Sequence, residues 1–452
     1  MKKINLIKLF TVVLFCFLSF GYSQNLTSKI DALLETKFKN NGPGATALVS
    51  KGGKVIYRKA FGKSNLELDV PMIPENVFQI GSMTKQFTAV SILMLLEQGK
   101  LALNDDITTF IPDYPTHNKN ITIHHLLTHT SGIKSYTSMR GLRDIARKDL
   151  EPLELIDFFK NEPMDFNPGE EYKYNNSGYI ILGYIIEKVS GISYAEFVDT
   201  NIFKKINMSS SLYGSKSKII KNRASGYQKR SDYRNTTYIS LTLPYAAGSI
   251  MSTVDDLLKW QQAISNNTLL QPETIKKAFT NYTLTNGTKI NYGYGWNIND
   301  IKGTSTIEHG GSIFGFKSMG VYIPTEDVYV IVLSNCDCNS PTTTALKIAA
   351  LAIDKPFPEI NNAVTLTSTK LEQWVGTYEY DNGVIRHLKL IDSQLYSQRE
   401  GGSDFKVYPI SENRFSLEDG LSELIFSNTK DTKKVQFKSR IKSSFGTEKV
   451  LK

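Results

Sequence analysis

Apolar residues recur along this chain with two different periods, and the switches between them mark its blocks. Residues 26–40 (LTSKIDALLETKFKN) bring Leu26, Ile30, Leu33 and Leu34 onto one face, which predicts an amphipathic helix. GATALVSKGGKVIYRKAFG (44–62) changes to strand-like runs on either side of Gly52-Gly53, a hairpin signal. The span 80–290 then reads as mostly helical, through SMTKQFTAVSILMLLEQG, LELIDFFKN, SGYIILGYIIEKVSG, SYAEFVDTNIFKKI and TVDDLLKWQQAIS. A second pair of β-rich runs surrounds a Pro-Thr-Glu-Asp turn in residues 315–335, with a helix expected at 341–354. Strands at both ends of a helical block predict one antiparallel sheet built from the two ends. Helices would flank it and a helical subdomain would sit beside it, an α/β domain of the α+β type over residues 24–355.

From residue 365 the pattern changes again. VGTYEY, IRHLKLID, QLYSQ, DFKVYPI, RFSLE, ELIFSN and KKVQFKS are short strands separated by turn residues. They predict a small all-β meander or barrel over 371–452, after a linker at 356–370. At the other end, Lys2 and Lys3 precede an apolar run from Leu9 to Phe20, and Gly21-Tyr22-Ser23 follows. This is the layout of a secretory signal peptide over 1–23, cleaved before Gln24. The run is too short to span a bilayer comfortably, so an exported protein, periplasmic or secreted, is expected to lack a stable membrane span in its mature form.

Composition narrows the classes of function. With 452 residues, 40% hydrophobic and 21% charged, the chain is long enough for two folded domains and unlike a disordered one. Its formal charge of +9 falls when the leader takes Lys2, Lys3 and Lys8 with it. The remaining basic residues are scattered, with no block interleaved with aromatics, so nucleic acid is not an expected partner. A mild positive field suits anionic cell-wall or lipid surfaces. The mature chain keeps only Cys336 and Cys338, too close together for a disulfide framework and too few for a metal site. A structural role is expected for both.

Candidate chemistry starts at QIGSMTKQ (79–86), where Ser82 and Lys85 stand three apart before a long apolar helix pattern. Both would occupy the first turn, beside the unsatisfied N–H groups and positive dipole end of the helix. Burial there disfavours the lysine's charge and prepares it to act as a base. The spacing alone is weak, since Ser-x-x-Lys recurs at Ser131/Lys134, Ser215/Lys218 and Ser427/Lys430. Two further motifs follow in order. Tyr174-Asn175-Asn176 lies in a Pro-Gly loop before a helix, and His309-Gly310-Gly311 opens the late strand pair as the single His-x-Gly of the chain. His124, His125 and His129 have a spacing a metal can use, but read as structural.

Ser-x-x-Lys, Tyr-x-Asn and a basic residue-x-Gly, in this order, resemble the class C β-lactamase and penicillin-binding-protein family of serine hydrolases. HHLLTHTSGI, YAAGSIMSTVDDLLKW and YGYGW fit the same resemblance, which covers roughly residues 30–355. It implies a β-lactamase/transpeptidase-like fold and Ser82 as the acylated nucleophile. Lys85 would help remove its proton, and Tyr174 would be general base with its phenolate favoured by the nearby ammonium. Asn176 would bind the substrate amide and steady Lys85. His309 and Gly311 would line the pocket, with His309 placing or protonating the substrate, and the N–H groups of Ser82 and Ser312 would form an oxyanion hole. No metal or organic cofactor is implied. β-Lactamases of this class carry Lys-Thr-Gly at the third motif, and this chain carries His-Gly-Gly. That favours D-alanyl-D-alanine carboxypeptidases, D-aminopeptidases and esterases over efficient β-lactamases. The partner expected is therefore a small-molecule or peptide substrate, with the cell wall as one source. The competing reading is a catalytically weak or inactive β-lactamase-like binding protein of the cell envelope that keeps the cleft.

Overall fold

Ile30, Leu34 and Phe38 follow one another every four residues and are all buried, which seats the first helix, α1 (25–37), on the domain behind it. The computed structural model describes residues 25–358, 363–381, 383–429, 432–439 and 443–448, and the expected signal peptide lies outside them. After α1 the chain forms a hairpin of β1 (Ala45–Lys51) and β2 (Lys54–Phe61). Gly52 and Gly53 both take positive φ at its tip, the conformation that a tight two-residue hairpin turn demands.

The late strands β3 (Thr304–Ile313), β4 (Phe316–Ile323) and β5 (Val328–Ser334) join this hairpin in the order β3-β4-β5-β1-β2. Asn297–Ile301 completes a six-stranded sheet beyond β3. The seam between the two chain ends is the antiparallel pairing of β1 with β5, from Ala45 opposite Ser334 to Lys51 opposite Val328. Every residue of β5 is buried, which explains its unbroken apolar run: a central strand covered on both faces has no polar side to alternate with. Helices α4 (Val254–Ser265) and α5 (Thr342–Ala352) pack against it.

The helical region is built around α2 (Thr84–Glu97), buried from Thr84 to Leu95 on all sides, and α3 (Asn176–Ser190), which packs on it. A helix enclosed this completely must satisfy its polar side chains inside the protein. Thr88 donates to Ala246 O at 2.6 Å, Ser91 donates to Phe87 O at 2.8 Å, and Gln86 accepts from the Trp260 indole at 3.1 Å. Gly99, with φ +68, follows the C-cap Gln98, a left-handed glycine that ends the helix.

The described chain divides into two units. One runs to Ile298 and includes Ser305–Ala352. The other contains Asn299–Thr304 and the chain from Ile353 onward. The second unit carries eight strands, from Gly376–Tyr380 to Ser443–Glu448, closed into a barrel by pairing of the first with the last. Trp374, Tyr378, Phe415 and Phe426 lead its buried core, with the Trp374 and Phe426 rings stacked at 4.8 Å. Sequence patterning yields seven of these strands and misses Ser443–Glu448, where Ser-Ser-Phe-Gly-Thr-Glu lacks an apolar alternation. Ser368–Glu372, within the span expected as linker, is helical. Cys336 and Cys338 also depart from expectation. They are joined by a disulfide, with their Cα atoms 5.1 Å apart, because the turn after β5 folds the two side chains toward each other.

Candidate active site

Gly81 and Ser82 open a 3-10 turn (Gly81–Met83) that runs directly into α2. The preceding residue is clamped from two directions, as Ile80 N–H donates to Ile250 O at 3.0 Å and Ile80 O accepts from the Ser318 hydroxyl at 2.8 Å. Two glycines let β3 approach this turn backbone to backbone. Gly81 has φ +54, and a Cβ there would lie 2.9 Å from the Ser312 nitrogen. A Cβ on Gly311 would lie 1.9 Å from Ile80 O and 2.3 Å from the Ser318 hydroxyl. The glycine of the third motif is therefore a requirement of close packing, and it brings the Ser312 backbone beside the residue that precedes Ser82.

Lys85, the second residue of α2, has no solvent exposure. Its Nζ lies 2.8 Å from Asn176 Oδ1, 2.9 Å from Ala247 O and 3.3 Å from Ser82 Oγ. It also sits 4.9 Å from the centroid of the Tyr174 ring and 5.4 Å from that of Tyr179. No carboxylate is among these neighbours. Burial pushes its pKa down to about 7, so near neutral pH about half of the molecules hold a free amine there. The geometry fixes what that amine does. A carbonyl and an amide oxygen can only accept, so they take its two N–H groups, and the lone pair is left for the Ser82 hydroxyl.

The doubled asparagine of the second motif divides its work. Asn175 caps α3, its side chain accepting from Gly178 N–H at 3.0 Å and donating to Ile133 O. Asn176, the first helical residue, faces Lys85, and its amide nitrogen donates to Thr137 Oγ1 at 3.1 Å. That bond orients the amide so that its oxygen is turned to the lysine.

Tyr174 is 38% exposed, at the mouth of this cluster. Burial raises its pKa above the ordinary phenol value, and a hydrogen bond with Ser82 works in the opposite direction without cancelling it. That direction opposes the phenolate expected from the nearby ammonium. His309 also differs from expectation. It is 3% exposed, its Nδ1 lies 2.6 Å from Gly310 O and its Nε2 lies 3.0 Å from the Tyr292 hydroxyl. A carbonyl accepts only, so Nδ1 carries the proton and Nε2 accepts from Tyr292. Burial, reinforced by the charge of Lys85, lowers its pKa to about 4. The third motif therefore presents a neutral imidazole, not the cation that lysine would supply. Tyr292, Tyr294 and Trp296, the aromatics of YGYGW, are all buried.

A cavity of about 120 Å3 opens at Ser82, lined among others by Asn176, Tyr136, Leu142, Leu243 and Phe314. Its lining also includes Ser312 and contains no charged side chain. A larger cleft of about 610 Å3, with Glu75, Asp255 and Lys259 on its walls, contains none of the motif residues. Two of the other serine-lysine pairs serve local structure: Lys134 binds Asp165 at 2.8 Å, and Ser215 accepts from Lys218 N–H at 3.1 Å, while Lys430 of the third lies outside the described residues. His124 and His125 bond to Tyr294 and to Thr122 N–H. Sequence reasoning missed Ala247, which contributes a backbone oxygen and so leaves no side-chain signal.

Comparison with known proteins agrees with this architecture. The Beta-lactamase family matches residues 26–354. The chain belongs to the beta-lactamase family. A penicillin-binding protein of Bacillus subtilis strain 168 is 27% identical over 439 residues, covering 91% of this chain and 96% of that protein. An octameric penicillin-binding protein homologue from Pyrococcus abyssi superposes with a TM-score of 0.67 at 27% identity, over 93% of this chain and 99% of its own. A D-amino acid amidase from Ochrobactrum anthropi SV3 shares the fold, with a TM-score of 0.64 at 22% identity over 73% of this chain and 98% of its own. The serine-hydrolase fold of the beta-lactamase family thus covers residues 26–354, and the two matches that cover 91% and 93% of the chain continue beyond that span.

Proposed function

We propose that this chain is an exported serine hydrolase that works through an acyl-enzyme on Ser82. The observation that carries the reading is Lys85: a buried amine, half neutral near pH 7, with two of its valences held by Asn176 and Ala247 and the third facing Ser82 Oγ at 3.3 Å. In this reading Lys85 takes the proton as Ser82 Oγ attacks a substrate carbonyl. The N–H groups of Ser82 and Ser312 receive the oxyanion. Asn176 offers the second N–H of its amide to the substrate. Tyr174, a neutral phenol at the mouth, hands its proton to the leaving nitrogen or oxygen as the tetrahedral intermediate collapses, and recovers it from the Lys85 ammonium. Water then reacts with the acyl-enzyme by the same groups in reverse.

The uncharged cavity at Ser82 favours substrates without an anionic group beside the scissile bond. Small esters and D-aminoacyl esters or amides with apolar side chains and no free carboxylate on the leaving group fit this better than β-lactams, which carry a carboxylate. The likeness to a penicillin-binding protein supports a cell-wall-derived peptide as one source. Purified protein tested on ester, D-aminoacyl and β-lactam panels should turn over the first two with Ser82→Ala as an inert control. Equal turnover by Ser82→Ala would overturn the assignment. Export is tested by sequencing the mature N-terminus, which should begin at Gln24. No described helix is long and apolar enough to cross a membrane.

A further inference from the structure

His129 is 1% exposed and stands two residues past the end of the short helix Ile123–Leu127, with φ +60. A non-glycine residue in the left-handed region is a conformation the fold has to enforce. Here it turns the imidazole toward the loop that carries Tyr174. That loop is laced to residues 129–132 by backbone bonds: Asp165 N–H to Gly132 O at 2.8 Å, Gly169 N–H to Thr130 O at 2.8 Å, and Lys173 N–H to His129 O at 3.0 Å. The final tie is made by a side chain. Asn175 N–H donates to His129 Nδ1 at 3.0 Å. The residues immediately before and after Tyr174 are therefore both bonded to His129, one through its backbone and one through its ring. The ring itself lies against the Tyr174 ring at a centroid distance of 4.3 Å.

We infer that His129 is a positioning residue for Tyr174, holding the phenol at Ser82 by bracketing it in the backbone and supporting its ring from below. This rests on the reading that Tyr174 takes part in the reaction. Proton transfer by His129 itself is not its role. Nδ1 must keep its lone pair to accept from Asn175 N–H, so a second proton there would face a donor, and the protonated Nε2 is buried with no hydrogen-bond partner among the described residues to receive its own. Asn176 is held separately, its N–H donating to Ser135 Oγ at 3.3 Å and its amide to Thr137, so loss of the ring acts first on Tyr174.

Two substitutions separate the acceptor from the ring. His129→Asn keeps an acceptor oxygen near the position of Nδ1 and tolerates the left-handed backbone. His129→Phe keeps the ring and removes the acceptor. Turnover, KM and thermal midpoint are measured for both on the best substrate of the panels, alone and combined with Tyr174→Phe. His129→Phe should lower kcat by roughly ten- to a hundredfold, the scale expected when a reacting group is misplaced by about 1 Å, with KM little changed. His129→Asn should recover most of that loss. Added to Tyr174→Phe, His129→Phe should cost almost nothing further in kcat. An equal loss in both backgrounds, or no recovery with His129→Asn when its thermal midpoint matches that of wild type, would overturn the inference while leaving Tyr174 in place. Wild-type turnover by Tyr174→Phe would remove the role of Tyr174 and this inference with it.

Discussion

Replacing Asn176 with aspartate changes one atom of the cluster and reads out the protonation of Lys85. Asn176 Oδ1 lies 2.8 Å from the lysine nitrogen. A carboxylate there would hold the ammonium with about 6 kcal/mol at an effective dielectric of 20, equivalent to about four pK units. Asn176 is half-buried, so water screens the pair and the carboxylate loses hydration; roughly half of that, about two pK units, should survive. A lysine raised from about 7 to roughly 9 would be neutral in about 1% of molecules at pH 7 in place of about half, a loss near fiftyfold in the competent form. The assay is the rate at which a fluorophosphonate modifies Ser82, followed from about pH 5 to pH 10. It needs no knowledge of the natural substrate. The midpoint of the rising limb should lie near 7 in the wild type and about two units higher in Asn176→Asp, with similar plateaus at high pH. A midpoint that stays in place, or moves down, would refute Lys85 as the base.

The same lysine predicts a stability effect of defined sign. Its pKa in the folded chain, about 7, lies below the unfolded value of 10.5, so the unfolded state binds more protons between these limits and native stability rises with pH across them. The wild type should therefore gain on Lys85→Met, by an upper bound of about 5 kcal/mol, as urea unfolding is moved from pH 6.5 toward pH 10; parallel pH profiles would contradict the burial argument. At the third motif, Gly311→Ala drives a methyl into Ile80 O, whereas a Cβ on Gly310 has 3.4 Å of clearance to its nearest neighbours. Gly311→Ala should cost about a hundredfold or more in kcat/KM through the displaced oxyanion donors, with Gly310→Ala close to wild type; equal effects would mean that the close approach of β3 is not what positions the hole.

Much of this arrangement was legible in the sequence because it rests on periodicity and on motif order. The two hairpins, the buried run of α2 and the three motifs all stand out before any coordinate is known. What was not legible depends on burial or on backbone atoms. Nothing in His-Gly-Gly says that His309 is neutral, since that follows from enclosure behind Tyr292. Tyr174 reads as a ready base beside an ammonium until desolvation of both partners is included. Ala247 acts through its carbonyl, and His129 through a backbone conformation, and neither has a composition signal. The eighth barrel strand escaped because its pairing with Gly376–Tyr380 closes a ring, a long-range contact that local pattern does not encode.

The central claim is that Ser82 is the nucleophile. Intact protein incubated with a fluorophosphonate or an acylating substrate, then digested and analysed by mass spectrometry, should carry the added mass on the peptide containing Ser82, and the label should disappear in Ser82→Ala. Labelling at any other serine, or substrate turnover that survives Ser82→Ala, would contradict the account.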